Sequence, residues 1–140
     1  MKRCVLATSG IHVRPDGDIT MCCDQSSLGL NANNIGLFEA FNSEKFKQVR
    51  KNLQNDVQDP SCNTCWHMEN KGLASSRTRF SSMHTDSNHL SHWDIRDDNL
   101  CNMSCRMCGP YSSSLWNQEA LKYKDDKVYY RHPVSVTVIQ

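Results

Sequence analysis

The placement of cysteine constrains this chain more tightly than its hydrophobic content does. Eight of the 140 residues are cysteine, and they are grouped: Cys22-Cys23, Cys62-Asn63-Thr64-Cys65, and the triplet Cys101, Cys105 and Cys108, with Cys4 near the N-terminus. The triplet reads C-N-M-S-C-R-M-C, with three and then two residues between its cysteines. Three thiolates at that spacing can wrap one loop around three irons of a cubane [4Fe–4S] cluster. The fourth iron then has no protein ligand, whereas electron-transfer clusters use four cysteines and close the site. An open iron is a place for chemistry, by the logic that separates catalytic from structural metal sites.

Hydrophobic residues make up 38% of the chain and its mean hydropathy is negative, a low supply for a self-sufficient core of this length. A metal is the expected staple. The basic residues after Met1 run into Thr8, Ser9 and Gly10 before an apolar region of signal-peptide length can form. The expected compartment is therefore the reducing cytoplasm, where thiols serve metals and redox chemistry rather than a disulfide framework. A net charge of +1 argues against nucleic-acid or membrane partners, and no apolar run reaches bilayer length. Arg77, Arg79 and Phe80 are too few to make a nucleic-acid patch.

Local patterns place these cysteines on elements. Ile11 to Arg14 and Asp18 to Cys22 are β-like runs around Pro15-Asp16-Gly17, which predicts a hairpin. Leu37 to Phe41 predicts a helical turn. Ser43 is the expected N-cap of a helix to about Asn55, with Phe46, Val49, Arg50 and Leu53 on one side. Pro60 ends that element ahead of Cys62 and Cys65. Residues 71–91 read as a linker, helical in part from Leu73 to Phe80. Trp93-Asp94-Ile95 reads as a strand entering the cysteine triplet, Gly109-Pro110 closes that loop, and Ser112 to Lys124 is a helix candidate. Val134 to Val138 alternates as a strand would.

The run from His92 through Pro110, a strand leading into Cys101, Cys105 and Cys108 and then a helix, resembles the first β-strand and cluster loop of the radical S-adenosylmethionine superfamily. The resemblance implies a [4Fe–4S] cluster on Cys101, Cys105 and Cys108, its open iron chelated by the amino and carboxylate groups of S-adenosyl-L-methionine. Reduction would then cleave the sulfonium and yield a 5′-deoxyadenosyl radical. Met107 stands where that family often has an aromatic residue, and the resemblance implies an adenine contact there. A zinc loop completed by His89 or His92 is the alternative on residue types.

Cys4, twelve residues, Gly17, four residues and Cys22, followed later by Cys62 and Cys65, resemble the auxiliary-cluster module called the SPASM or twitch domain. The resemblance implies that Cys4, Cys22, Cys62 and Cys65 ligate a second, auxiliary iron–sulfur cluster. The hairpin turn at Gly17 lets Cys4 and Cys22 meet. Four thiolates could equally hold zinc. Adjacent strand residues point to opposite faces, so Cys23 reads as a buried thiol outside the set. His67, His84, His89 and His132 read as solvated, and Asp94, Asp97 and Asp98 as solvated loop or capping residues.

The expected class is α+β: a twitch/SPASM-like module over 1–70, a linker over 71–91, and over 92–140 the first strand, loop and helix of a radical S-adenosylmethionine barrel. The 32 residues after Cys108 are too few for that family's barrel, and its glycine-rich motif for the S-adenosylmethionine amino group has no counterpart. The expectation is a truncated or split member whose turnover needs barrel residues from a second chain. Its other partners would be an unidentified substrate and a reductant such as a flavodoxin or ferredoxin. A non-catalytic iron–sulfur or zinc module, a remnant of such an enzyme, is the alternative.

Overall fold

The computed structural model describes residues 3–83 and 89–122. The run 134–138, His84, His132 and the end of the helix expected to reach Lys124 lie outside the described residues. The chain divides into two compact units, Met1–Val13 with Gly17–Ile95, and Arg14–Asp16 with Arg96–Gln140.

The first unit begins with a short helix, α1 (Val5–Ser9), which starts immediately after Cys4 and buries Val5, Leu6 and Ala7. The Thr8 and Ser9 hydroxyls donate back to the Val5 carbonyl at 3.0 and 2.8 Å, the local bonding that competes with helix extension. The chain then turns at Gly10 into β1 (Gly10–Val13). A Cβ at Gly10 would lie 2.6 Å from the Met21 carbonyl oxygen and 2.7 Å from that of Leu6, so only glycine permits this approach. β2 (Ile19–Thr20) returns antiparallel, pairing His12 with Thr20 and Val13 with Ile19. The expected hairpin is present, and Gly17 takes the positive φ of +82° that its turn requires.

The helices that follow agree with the periodicity. α2 covers Leu37–Phe41 and α3 covers Glu44–Gln54, with Phe46, Val49 and Leu53 buried. The Ser43 hydroxyl caps α3 by accepting from the Phe46 N–H at 3.4 Å. These side chains and Ile11, Val13, Ile19, Met21, Phe41 and Trp66 form the core. Arg50, on the same helix face, donates to the Ala7 carbonyl at 2.7 Å and the Phe41 carbonyl at 2.8 Å, and lies 4.2 Å over the Phe41 ring. It thereby brings a cation to the last turns of α1 and α2, where helix dipoles favour one.

A 3₁₀ turn (Pro60–Cys62) leads directly into α4 (Asn63–Asn70). Within the stretch read as a linker lies α5 (Ser76–Met83), whose Ser81 hydroxyl accepts from the Val5 N–H of α1 at 3.4 Å. β3 (His92–Ile95) pairs in parallel with β1, from Gly10 opposite His92 to Val13 opposite Ile95, giving the sheet order β2-β1-β3.

Asp94, read both as part of a strand and as a solvated carboxylate, lies on β3 with its Oδ2 2.9 Å from Nδ1 of the buried His12 on β1, so it faces a side chain of the sheet rather than bulk solvent alone. The α+β class is as expected, a three-stranded sheet with helices. No helix among the described residues is long and apolar enough to cross a membrane.

Candidate metal centre

β2 stops at Thr20, so Cys22 and Cys23 occupy a turn rather than a strand. The Thr20 hydroxyl donates to the Cys22 carbonyl at 2.9 Å, and the Gln25 N–H closes on the same carbonyl at 3.3 Å. Cys23 is exposed, not buried, because the strand alternation used to orient it has already ended.

Gln25, buried at 2% exposure, fixes this turn against the second cysteine segment. Its Oε1 accepts from the Met21 N–H at 2.8 Å, and its Nε2 donates to the Ser61 hydroxyl at 3.0 Å. The Ser26 N–H reaches the Ser61 carbonyl at 2.8 Å. Ser61 in turn donates its N–H and hydroxyl to Asp59 Oδ1, at 2.9 and 2.6 Å. Asp59 Oδ2 accepts from Asn52 of α3 at 2.7 Å, and its carbonyl accepts from the Trp66 indole at 2.9 Å and the Cys62 N–H at 3.0 Å. One chain of hydrogen bonds therefore runs from Met21, beside Cys22, to Cys62 and on to Trp66, beside Cys65.

Cys4, Cys22 and Cys62 are half-buried and Cys65 is buried. Every pair among these four thiols is close enough to feel the other's charge. Loss of water pushes the Cys4 and Cys22 thiols up, with repulsion from their neighbours adding to it. The same loss of water, with Asp59 and the other thiols, pushes Cys62 up to about 12 against the hydrogen bond from Ser61. The folded, metal-free unit thus holds Cys4, Cys22 and Cys62 protonated, and ligation must displace their protons. Among the described residues no three His, Cys, Asp or Glu side chains converge to the spacing of a single metal ion.

The raised thiols stabilise the fold below the ordinary thiol value of about 8.5, and that stability is lost as pH rises toward the folded values. The slope is at most about 1.4 kcal/mol per pH unit for each thiol. The melting temperature of the metal-free protein is therefore expected to fall from pH 8.5 to 10.5. A Cys4/Cys22/Cys62→Ala variant should show a shallower fall; an equal one would mean that other groups carry it.

In the second unit, Cys101, Cys105 and Cys108 share a loop anchored to α6 (Ser114–Lys122). The Ser114 hydroxyl accepts from the Cys101 N–H and donates to the Cys101 carbonyl, both at 3.1 Å. Ser113, fully buried, donates to the Met103 carbonyl at 3.0 Å, and the Trp116 indole donates to the Cys105 carbonyl at 2.9 Å. The Cys108 N–H reaches the Cys105 carbonyl at 3.0 Å. Cys105 is exposed, Cys101 and Cys108 are partly so, and the Met107 side chain projects fully into solvent at 99% exposure.

Of the residues singled out in the sequence, the structure brings Cys4, Cys22, Cys62 and Cys65 together and holds Cys101, Cys105 and Cys108 in one loop. Of the histidines weighed as a zinc ligand, His92 packs edge-on against Phe80, with ring centroids 5.3 Å apart. Gln25, Asp59 and Ser61 were not singled out, and only the helix-start pattern of Asp59-Pro60 marks any of them in the sequence.

Residues 4–66 match the family model of SPASM, an iron-sulfur cluster-binding domain. The matched span begins at Cys4 and takes in Gly17, Cys22, Cys62 and Cys65. It supports iron–sulfur cluster binding by this part of the chain, and a relationship to the SPASM/twitch type of radical S-adenosylmethionine protein. Neither the curated proteins nor the solved structures give a match to the chain.

Proposed function

We propose that this chain is an iron–sulfur protein of the radical S-adenosylmethionine type. Cys4, Cys22, Cys62 and Cys65 hold an auxiliary cluster, and Cys101, Cys105 and Cys108 hold a [4Fe–4S] cluster at which S-adenosylmethionine is reductively cleaved. The observation that carries the reading is the gathering of four thiols from three separate segments, inside the span that matches the cluster-binding family. The donor set fits the group: four soft thiols suit iron–sulfur ligation. When bound, such clusters supply one-electron chemistry.

The chain's own residues prepare both sites. Gln25, Ser61 and Asp59 hold the Cys22 turn against the Cys62 turn, so the ligands are placed before metal arrives. Burial keeps Cys4, Cys22 and Cys62 protonated at neutral pH, which spares the unliganded fold adjacent negative charges. Ser113, Ser114 and Trp116 tie the backbone of the second loop, and the Cys101 thiol donates to the Met103 carbonyl at 3.7 Å. Met107, whose side chain faces solvent, would supply the adenine contact. The reductant would be a flavodoxin- or ferredoxin-like donor.

A second reading has its own support, since the family match ends at residue 66 and leaves the second loop outside it. On that reading the protein is a non-catalytic module with one auxiliary site.

Iron and acid-labile sulfide per chain, after anaerobic reconstitution, decide between them. About eight irons falling to about four in a Cys101/Cys105/Cys108→Ala variant is the expected result. About four in both proteins would leave the auxiliary site alone, and zinc without sulfide would overturn the iron–sulfur assignment. A two-cluster protein that binds S-adenosylmethionine should also cleave it under dithionite.

A further inference from the structure

Arg77 lies on α5, in the stretch that reads from sequence as a linker, yet its side chain is only 12% exposed. Three contacts fix its guanidinium. Nη1 donates to the Arg3 carbonyl at 2.9 Å, the peptide group that leads into Cys4. The guanidinium carbon lies 5.1 Å from the ring of Trp66, the residue after Cys65. Nε donates to Glu69 Oε1 at 2.9 Å and Nη2 bonds Glu69 Oε2, a two-pronged pair with a carboxylate that is itself largely buried. The Ser75 hydroxyl donates to the same carboxylate at 2.5 Å.

These contacts orient the pair. The guanidinium bonds the peptide group before one thiol ligand and lies against the ring of the residue after another, and the Glu69 carboxylate of α4 holds it there. A charge held this way, in a partly dry environment, acts more strongly on its surroundings than one in water. Cluster potentials respond to nearby charge and to solvent exposure.

We infer that Arg77, held by Glu69, is the positioning residue that sets the reduction potential of the auxiliary cluster, by presenting a fixed positive charge beside Cys4 and Cys65. The inference rests on the assignment of that cluster to Cys4, Cys22, Cys62 and Cys65. Adding one electron makes the cluster more negative, so the guanidinium favours the reduced form and raises the potential. Removing Arg77 leaves the Glu69 carboxylate uncompensated and should lower it. Removing the Glu69 charge should raise it.

The test uses the full-length Cys101/Cys105/Cys108→Ala protein, which isolates the auxiliary cluster. After reconstitution it is titrated with dithionite and mediators, and the reduced cluster is followed by electron paramagnetic resonance. Arg77→Gln is expected to shift the midpoint downward, Glu69→Gln upward, and Arg77→Lys to stay near the parent. A merely structural role would change iron content or melting temperature without this opposed pair of shifts. Equal midpoints in the two Gln variants, or shifts of one sign, overturn the inference. Should Arg77→Gln fail to fold, the upward shift in Glu69→Gln decides alone. A parent protein that takes up no iron and sulfide would instead overturn the cluster assignment itself.

Discussion

A Cys65→Ala protein is expected to reconstitute with about four fewer irons and sulfides per chain than the unmodified protein. Cys65 is the buried member of its set, sitting on the first turn of α4 between the Cys62 turn and the core residue Trp66. Its backbone is fixed by the helix, so no neighbour can swing into its place. Cys23 is the nearest spare thiol in sequence, but it is exposed at the outside of its turn. The metal-free fold should lose little, because alanine removes only a small sulfur-bearing side chain. Iron and sulfide analysis beside a thermal melt checks both halves. An unchanged iron count with an unchanged melt would remove Cys65 from the ligand set.

The second large effect belongs to a residue that binds no metal. Gln25→Ala strips the partner from the Met21 N–H, which is buried, and from one side of the partly buried Ser61 hydroxyl. A buried donor left unmade costs about 1–3 kcal/mol, and the void adds to it, so a loss of about 3 kcal/mol is expected in urea unfolding. The loss should be accompanied by weaker cluster uptake, because the Cys22 turn is no longer tied to the Cys62 turn. Asp59→Ala acts on the same chain of bonds, and the double variant should lose less than the sum of the two. Strict additivity would show that the two residues do not work as one network.

What the sequence disclosed was local. Pro15-Asp16-Gly17 and the Ser43 cap announce their elements because turn chemistry and capping act within a few residues. The cysteine spacing pointed to Cys4, Cys22, Cys62 and Cys65 because ligands are rare residue types and few other reasons group them. The glutamine and serine that bring the turns together were silent, since Gln25 and Ser61 are ordinary surface residues in any other setting. The orientation of Cys23 was misjudged by two residues of strand length, the error that boundaries most often carry. The partnership of Arg77 with Glu69 was hidden for another reason. Both lie on helices, but their contact depends on how the turn between α4 and α5 brings the two together, and no periodicity encodes that.

The parallel pairing of β1 with β3 bears on how the chain comes to be folded. His12 and Asp94 are 82 positions apart, so the sheet closes only after nearly the whole first unit has been made. Pairing of this kind pays its loop-closure entropy before any contact rewards it, and proteins dominated by such contacts fold slowly. During synthesis β1 would emerge with β2 as a two-stranded ribbon, one edge open, well before residues 92–95 leave the ribosome. The hairpin and α3 can form early from local signals, whereas the closing strand arrives last and completes the sheet around a unit whose cysteines are already close together.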